Sequence, residues 1–344
     1  MKVRIFDMKK YNICVLGATG LVGSEMLKIL IERDFPFENM VLLASSRSAG
    51  TVSHAADRDI VVKDADEETF EGIDIALFAG GEIASGDYAA KAVKAGCVVI
   101  DNSAYFRMDP EVPLVVPEVN PDALEGHKGI IANPNCSTIQ MVAALKPLYD
   151  RAGIERVVVA TYQSVAGTGK AALEELKNQS ADILEGRDAR ISCYPHRIAF
   201  SLIPQIGSFG VNGYSSEEMK MINETKKILG DDSVRVTATT VRVPVEFGHC
   251  ESVNVQTKTK LSAKEAADIL SSAPGVRVYD DPAASVYPMP IVCAGRDEVF
   301  VGRIREDLSI DNGIEMWIAA DNIRKGAALN AVQIAEELIK RNLI

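Results

Sequence analysis

Along the first third of the chain, short and almost uninterrupted apolar runs alternate with amphipathic stretches. Residues 11–17, 40–45, 73–79 and 98–101 read as strands, and 21–32 and 87–95 as helices, the second ending at Gly96. Strands with apolar residues at consecutive positions are covered on both faces. With helices between them they predict a parallel, doubly wound sheet. Beyond about Asn135 the period changes. A helix over 137–149 is followed by strands whose apolar residues alternate, at 156–163, 233–245, 252–258 and 313–320, with helices near 170–184, 215–229 and 262–272. Alternation predicts a sheet with one solvated face. The last segment, 326–341, aligns Ala328, Leu329, Val332, Ile334, Ala335 and Leu338 on one helical face, suited to return to the first sheet. The expected class is α/β: a Rossmann-type doubly wound domain over 1–135, rejoined by the C-terminal segment 325–344, and an α+β domain over 136–324.

A length of 344 residues accommodates two domains of ordinary size. The balance of 37 basic against 48 acidic residues, net -11, offers no basic face for a phosphate backbone, which excludes nucleic acid as the main partner. No apolar run approaches the roughly 18 to 20 residues of a membrane span. The basic opening over 1–10 leads into a strand broken at Gly17, and not into a secretory core. A cytoplasmic protein with no membrane partner is expected. The six cysteines, at 14, 97, 136, 193, 250 and 293, form no CxxC pair, and the four histidines, at 54, 127, 196 and 249, include no HExxH. Neither a disulfide framework nor a metal site is expected.

The first strand runs into Gly17-Ala18-Thr19-Gly20-Leu21-Val22-Gly23 and then a helix, the order a dinucleotide site requires. Glycines allow the tight turn and close approach to a pyrophosphate, and the helix N-terminus supplies N–H donors. The spacing is GxxGxxG and not GxGxxG, so the strand-turn-helix context carries the reading. An NAD site places Asp or Glu after the second strand; here that strand ends in Ser45-Ser46-Arg47-Ser48-Ala49-Gly50. Hydroxyls and a guanidinium suit a 2′-phosphate and favour NADP. Short-chain dehydrogenases share the glycine spacing but need Tyr-xxx-Lys, and no tyrosine here has lysine four residues on. Gly167-Thr168-Gly169-Lys170 falls short of a P-loop, with Ser164 for its first glycine and Ala171 for its magnesium-binding hydroxyl.

Cys136 stands apart from the other thiols, in Asn133-Pro134-Asn135-Cys136-Ser137-Thr138 at the start of an apolar-periodic helix. A cysteine in a first helical turn meets the dipole and the free N–H groups that lower a thiol pKa and can hold an oxyanion. It is the candidate nucleophile. His249, after Gly248 at a strand connection where side chains open into clefts, is the candidate acid/base. Cys14 and Cys97 read as core.

With these motifs in place the chain resembles the aspartate-semialdehyde dehydrogenase family. The likeness runs in order through GATGLVG, SSRSAG, DNSAYFRM, PNCSTIQ, TYQSVAGTGK, IAFSLIPQIG, GYSSEEMKM, RVPVEFGHCESV, GRDEVFVGRIRED and DNIRKGAALNAVQIAE, covering essentially the whole chain. The resemblance implies that Cys136 is the nucleophile, His249 the acid/base and Gln163 the residue that orients substrate near the thiol. It implies Arg107 and Lys220 for the phosphate, Arg242 for the substrate carboxylate, Glu217 for its amino group, and Asn135 among the substrate contacts. Thr19, Gly20, Leu21, Val22, Arg47, Ser48, Ala49, Ala166, Gly167 and Gln333 fall where the family touches NADP.

The activity implied is NADPH-dependent reductive dephosphorylation of L-4-aspartyl phosphate in lysine (diaminopimelate), threonine and methionine biosynthesis. A homodimer or homotetramer through the second, catalytic and dimerisation domain is implied as well. About seven residues precede the usual start, Gly207 falls in a stretch often acidic, and Cys250 stands where many relatives carry serine, which puts selective labelling of Cys136 in doubt. N-acetyl-glutamyl-phosphate reductase shares the thiol and cofactor logic, but its acetylated amine gives Glu217 nothing to pair with. A non-catalytic NADP-binding protein leaves the thiol and its cations unexplained, and a cofactor-free cysteine hydrolase leaves GATGLVG unexplained.

Overall fold

The computed structural model describes residues 9–55, 58–65 and 70–344, so most of the basic opening, residues 1–8, lies outside the described residues. The chain divides into two units: the chain up to Pro117 with Pro121–Pro134 and Ala328–Ile344, and Glu118–Asn120 with Asn135–Ala327.

The first unit begins β1 (Tyr11–Leu16), α1 (Leu21–Glu32), β2 (Phe37–Ala44), β3 (Val52–Ala55), β4 (Arg58–Val61), β5 (Lys63–Asp64), β6 (Ile75–Phe78), α2 (Glu82–Lys94), β7 (Val98–Asp101) and β8 (Ile130–Ala132). Six strands form one sheet in the order β5-β2-β1-β6-β7-β8, parallel at every pairing. The chain leaves β1 toward β2 on one side and later occupies β6 on the other, so strand order reverses at the C-terminal end of β1, where open α/β sheets bind ligands. The period of two sorts the strand residues onto two buried faces. Ile13, Val15, Leu42, Ile75 and Leu77 pack with Met26, Ile29 and Leu30 of α1; Cys14, Leu16, Ala76, Phe78 and Val99 pack with Ala89 and Ala92 of α2.

The second unit contains α3 (Cys136–Ala152), β9 (Ile154–Gln163), α4 (Lys170–Leu184), α5 (Ser216–Leu229), β10 (Arg235–Arg242), β11 (His249–Thr257), α6 (Ala263–Ser271), β12 (Val276–Val278), α7 (Pro290–Cys293), β13 (Val299–Glu306) and β14 (Gly313–Ala320). Its sheet, β10-β9-β11-β14-β13-β12, is mixed: β9/β10 and β12/β13 are parallel and the other pairs antiparallel. One face buries Val157, Val159, Val253, Val255, Ile314, Met316 and Ile318 against Met141, Leu145 and Leu148 of α3. The other face carries the Tyr162 and Trp317 rings, 5.2 Å apart. The last helix, α8 (Leu329–Lys340), belongs to the first unit and adds Leu329, Val332, Ala335 and Leu338 to the α1 side of its core. None of the described helices is long and apolar enough to cross a membrane.

Several boundaries move. α2 starts at Glu82, five residues before the apolar period suggests, because Gly81 at φ +85° turns the chain into it and Ser85 is held by Asp101 (2.6 Å). β11 starts at His249 and not at 252, since it pairs with β14 from His249↔Ala320 onward. β10 ends at Arg242, where its pairing with β9 stops at Gln163. The 326–341 segment is regular only over Leu329–Lys340, after a wider turn at Arg324–Ala328.

The glycine spacing acquires a steric cause. Gly17 sits at φ +84°, and a Cβ there would lie 2.6 Å from the Ala79 carbonyl carbon, while a Cβ on Gly23 would collide with the Gly17 carbonyl. Gly17→Ala is expected to destabilise the protein by about 1–3 kcal/mol. Gly50→Ala, with similar φ (+83°) but open space around it, should cost less. Urea unfolding of the two variants checks the order, and equal midpoints would contradict it.

Candidate active site

In the first unit, the β1–α1 turn is tied to β2 by Gly17 and Ala18 N–H donating to the Leu43 carbonyl (2.8 and 3.2 Å). Gly20 caps α1 without a side chain. The first N–H groups of that helix are therefore left without an intrahelical or capping partner, which fits an anionic pyrophosphate. Thr19, Gly20, Leu21 and Val22 are at least partly exposed, while Gly23 is buried and acts by packing. After β2, Ser48 and Ala49 N–H groups donate to the Ser45 carbonyl, leaving Arg47 exposed in a loop with no carboxylate from Ser45 to Gly50. Gln333 is half-buried on α8. These residues fit a nicotinamide dinucleotide.

Arg107 also lies in this unit and is buried, unlike an isolated surface charge. Its Nε donates to the Asn133 carbonyl (2.9 Å) and Nη2 to that of Asn102 (3.0 Å). Asn133 in turn donates to Asn102 Oδ1 and accepts from Asn330 Nδ2 (2.7 Å).

In the second unit the site is built on the start of α3. Asn135 is its N-cap, Oδ1 accepting from Ser137 and Thr138 N–H (3.1 and 3.2 Å), so Cys136 occupies the first helical position. Asn135 Nδ2 donates to Glu217 Oε1 (2.8 Å), and Gln163 Nε2 donates to the same oxygen (3.2 Å) and to Ser137 Oγ. Lys220 Nζ lies 3.4 Å from Glu217 Oε2. Glu217 and Lys220 ride on the first turns of α5, which is set by a capping box between Ser215 and Glu218. The second Glu218 oxygen accepts from Thr240 N–H (2.9 Å) and docks α5 on the strand that ends at Arg242.

Arg242 is buried, with Nη1 donating to the Ser164 carbonyl (2.5 Å). A Cβ on Gly167 would lie 3.1 Å from Arg242 Nη1 and 3.4 Å from His249 Nε2, so this glycine permits the two side chains to lie where they do. Gly167 is exposed and Ala166 buried. Among the cofactor candidates, Ala166 and Gly167 are thus carried by the second unit.

One expectation is corrected. His249 does not open into a cleft; its side chain is fully buried, because it begins a central strand and packs inward with Glu251 and Val253. Burial first, and the Arg242 charge second, drive its pKa well below the usual histidine value, against a smaller opposing effect of a Gly248 backbone hydrogen bond. The ring is neutral at pH 7. Its Nδ1 receives the Ser164 N–H (3.1 Å) and lies 3.1 Å from Ser164 Oγ.

Three further residues carry the site without an individual signal in the sequence. Glu224 Oε2 accepts the Asn135 N–H (2.7 Å). Asn322 and Ser164 surround His249; both fall inside recognisable motifs, which say nothing about their pairing. Glu251 is fully buried, and burial raises its pKa well above 4.5, opposed by a side-chain hydrogen bond with Gln140, so its neutral form is favoured.

Two family models match, "Semialdehyde dehydrogenase, NAD binding domain" over residues 12–127 and "Semialdehyde dehydrogenase, dimerisation domain" over 145–325. Aspartate-semialdehyde dehydrogenase of Aquifex aeolicus is 54% identical over 338 residues, 97% of this chain and 99% of the relative. That of Legionella pneumophila is 52% identical, over 97% of each chain. Among solved structures, aspartate semialdehyde dehydrogenase II of Vibrio cholerae complexed with ASA superposes with TM-score 0.94 at 47% identity, over 96% of this chain and 99% of that one. The Candida albicans enzyme with NADP superposes with TM-score 0.76 at 28% identity, over 98% and 100%.

Thiol labelling will be selective despite the additional cysteine. Cys14, Cys97, Cys250 and Cys293 are buried with raised pKa values, and Cys193 is half-buried, its thiol pushed up by burial and by Glu175. Iodoacetamide at neutral pH should modify Cys136 first, by peptide mapping; faster modification of Cys250 would contradict the burial. Glu251 carries a stability cost with a definite sign. Its folded pKa is raised, so its contribution is intact below about 4.5 and is lost as pH rises toward the folded value. Glu251→Gln should therefore raise the melting temperature relative to wild type more at pH 8 than at pH 5.

Proposed function

The chain belongs to the aspartate-semialdehyde dehydrogenase family, and on that premise we propose that it reduces L-4-aspartyl phosphate to L-aspartate 4-semialdehyde with NADPH, through a thioester on Cys136. The observation that carries this reading is the geometry at the start of α3: Cys136 opens the helix, with Asn135, Gln163 and Glu217 hydrogen-bonded beside it. The Cys136 thiolate attacks the acyl carbon, a C–S bond forms, and the C–O bond to phosphorus breaks to release inorganic phosphate. The bound cofactor supplies a hydride to the thioester carbon. The resulting thiohemiacetal collapses, the C–S bond breaks, and the aldehyde leaves as the thiolate reforms. His249 serves as the acid/base for the thiol and for the tetrahedral oxygen.

Arg107 and Lys220 hold the phosphate, and Arg242 the substrate carboxylate, a bidentate task that lysine performs poorly. Glu217 faces the amino group. An acetylated amine would offer that carboxylate no cation on the substrate, which favours the aspartyl substrate over the N-acetyl-glutamyl one. The cofactor proposed is NADP; the N-terminus of α1 would hold its pyrophosphate, and Arg47, Ser48 and Ala49 would hold its 2′-phosphate. The match to a dimerisation domain supports self-association, as a homodimer or homotetramer. A cytoplasmic place in lysine, threonine and methionine biosynthesis follows from the same membership.

Wild-type enzyme should reduce NADP with aspartate semialdehyde only when phosphate is present. Cys136→Ala should lose about 10³-fold or more in turnover. Arg242→Lys should act mainly by raising KM for the semialdehyde. Phosphate-independent reduction, or turnover by Cys136→Ala, would remove the covalent mechanism.

A further inference from the structure

His249 meets one serine in two ways. The Ser164 main-chain N–H donates to Nδ1 at 3.1 Å, and the Ser164 Oγ lies 3.1 Å from the same nitrogen. The first contact requires a lone pair on Nδ1; the second suits a proton there only if the hydroxyl accepts. What the hydroxyl does is decided by Asn322. The Gly248 N–H donates to Asn322 Oδ1 (2.9 Å), which fixes that atom as the amide oxygen. Ser164 Oγ lies 3.0 Å from the same Oδ1, and an amide oxygen has no proton to give, so the Ser164 hydroxyl must donate to it. With its one proton engaged, Ser164 Oγ turns only lone pairs toward the ring.

We propose that Ser164, its hydroxyl oriented by Asn322, is a positioning residue that serves both proton forms of His249. Its N–H holds the resting Nε2–H form, and its Oγ accepts from Nδ1–H in the form whose Nε2 is free to take a proton. This rests on the acid/base role of His249 proposed above. The resting ring reaches the base form by exchange with water, taking a proton at Nδ1, where Ser164 Oγ accepts the hydrogen bond, and releasing the one on Nε2; Nε2 then gains the Cys136 proton to give the imidazolium, and later returns it to the oxygen or sulfur of the collapsing thiohemiacetal. The ring never turns. Such a device is needed because, beyond a Gly248 backbone hydrogen bond, the charged ring has little other support: it is fully buried, and Arg242 on β10 disfavours its charge. The remaining titratable groups around it offer none. Glu251, two residues along β11, is neutral. The Asp321 carboxylate is turned to the N–H groups of Ile323, Arg324 and Gly295. Cys250 packs with Cys293.

The test uses full-length Ser164→Ala, which keeps the N–H and removes the acceptor, with Ser164→Thr, which restores a hydroxyl, and Asn322→Leu, which frees it. Nitrogen-15 NMR of labelled histidine, with the His249 signals assigned from His249→Gln, reads the tautomer directly. Wild type should rest with the proton on Nε2. Ser164→Ala should lower kcat by about 10- to 100-fold, a part of what general acid–base catalysis supplies, with KM for the semialdehyde unchanged. The histidine limb of its kcat/KM profile should move to lower pH, and Ser164→Thr should recover rate and profile. Asn322→Leu should shift the profile the same way. A resting Nδ1–H tautomer, or a wild-type kcat and pH profile in Ser164→Ala, would overturn the proposal. Should Ser164→Ala prove unfolded by circular dichroism, the wild-type tautomer and the Asn322→Leu profile decide it alone. If wild type shows no phosphate-dependent reduction, the functional reading fails, while the tautomer measurement still judges the Ser164 pairing.

Discussion

Asn135 must end one segment and begin a helix while holding a carboxylate in place, and the second unit's site depends on that one buried side chain. Its Oδ1 caps α3, its Nδ2 donates to Glu217, its N–H goes to Glu224, and its carbonyl accepts from Ile139 N–H (2.9 Å). Each hydrogen-bonding group of the residue is paired within the protein. A buried polar group left half-satisfied costs about 1–3 kcal/mol, so this arrangement has few alternatives of similar energy. The rigidity passes to Cys136, the next residue, and through the shared Glu217 oxygen to Gln163.

Charge is managed by burial. The whole protein carries -11, yet beyond a Debye length of about 8 to 10 Å that sum is screened and the nearest groups decide affinity. Within the second unit, burial disfavours the charged forms of His249 and Glu251, and the charged groups beside the helix start include Glu217, Glu224 and Lys220. Neutralising the histidine keeps a second cation away from Arg242.

Legibility followed burial. β1, β6 and β7 are covered on both faces and showed as solid apolar runs, and the alternation of β9 and β11 reflects one face packed on α3. The early turns of α2 were hidden, since Gly86 and the exposed Ile83 dilute the period and the segment is held by a tertiary bond from Ser85. β13 is apolar only over its first half, and its later residues, Arg303 to Glu306, read as surface. Among site residues, Cys136 was visible because the helix start is a local event. The expected exposure of His249 was mistaken, because a glycine before a histidine does not reveal whether a strand begins there.

The sequence by itself determined the two periodicities, the glycine turn after β1, the absence of an acidic residue after β2, and the thiol at a helix start. Each is written in residues within one turn or one strand of one another, where covalent spacing enforces the geometry. Only the tertiary structure decided the burial of His249 and Glu251 and the pairing of Ser164 with Asn322, which lie 158 residues apart. Those properties arise from desolvation and from which donors meet which acceptors. Both are set by packing between elements, and no local pattern of residues encodes them.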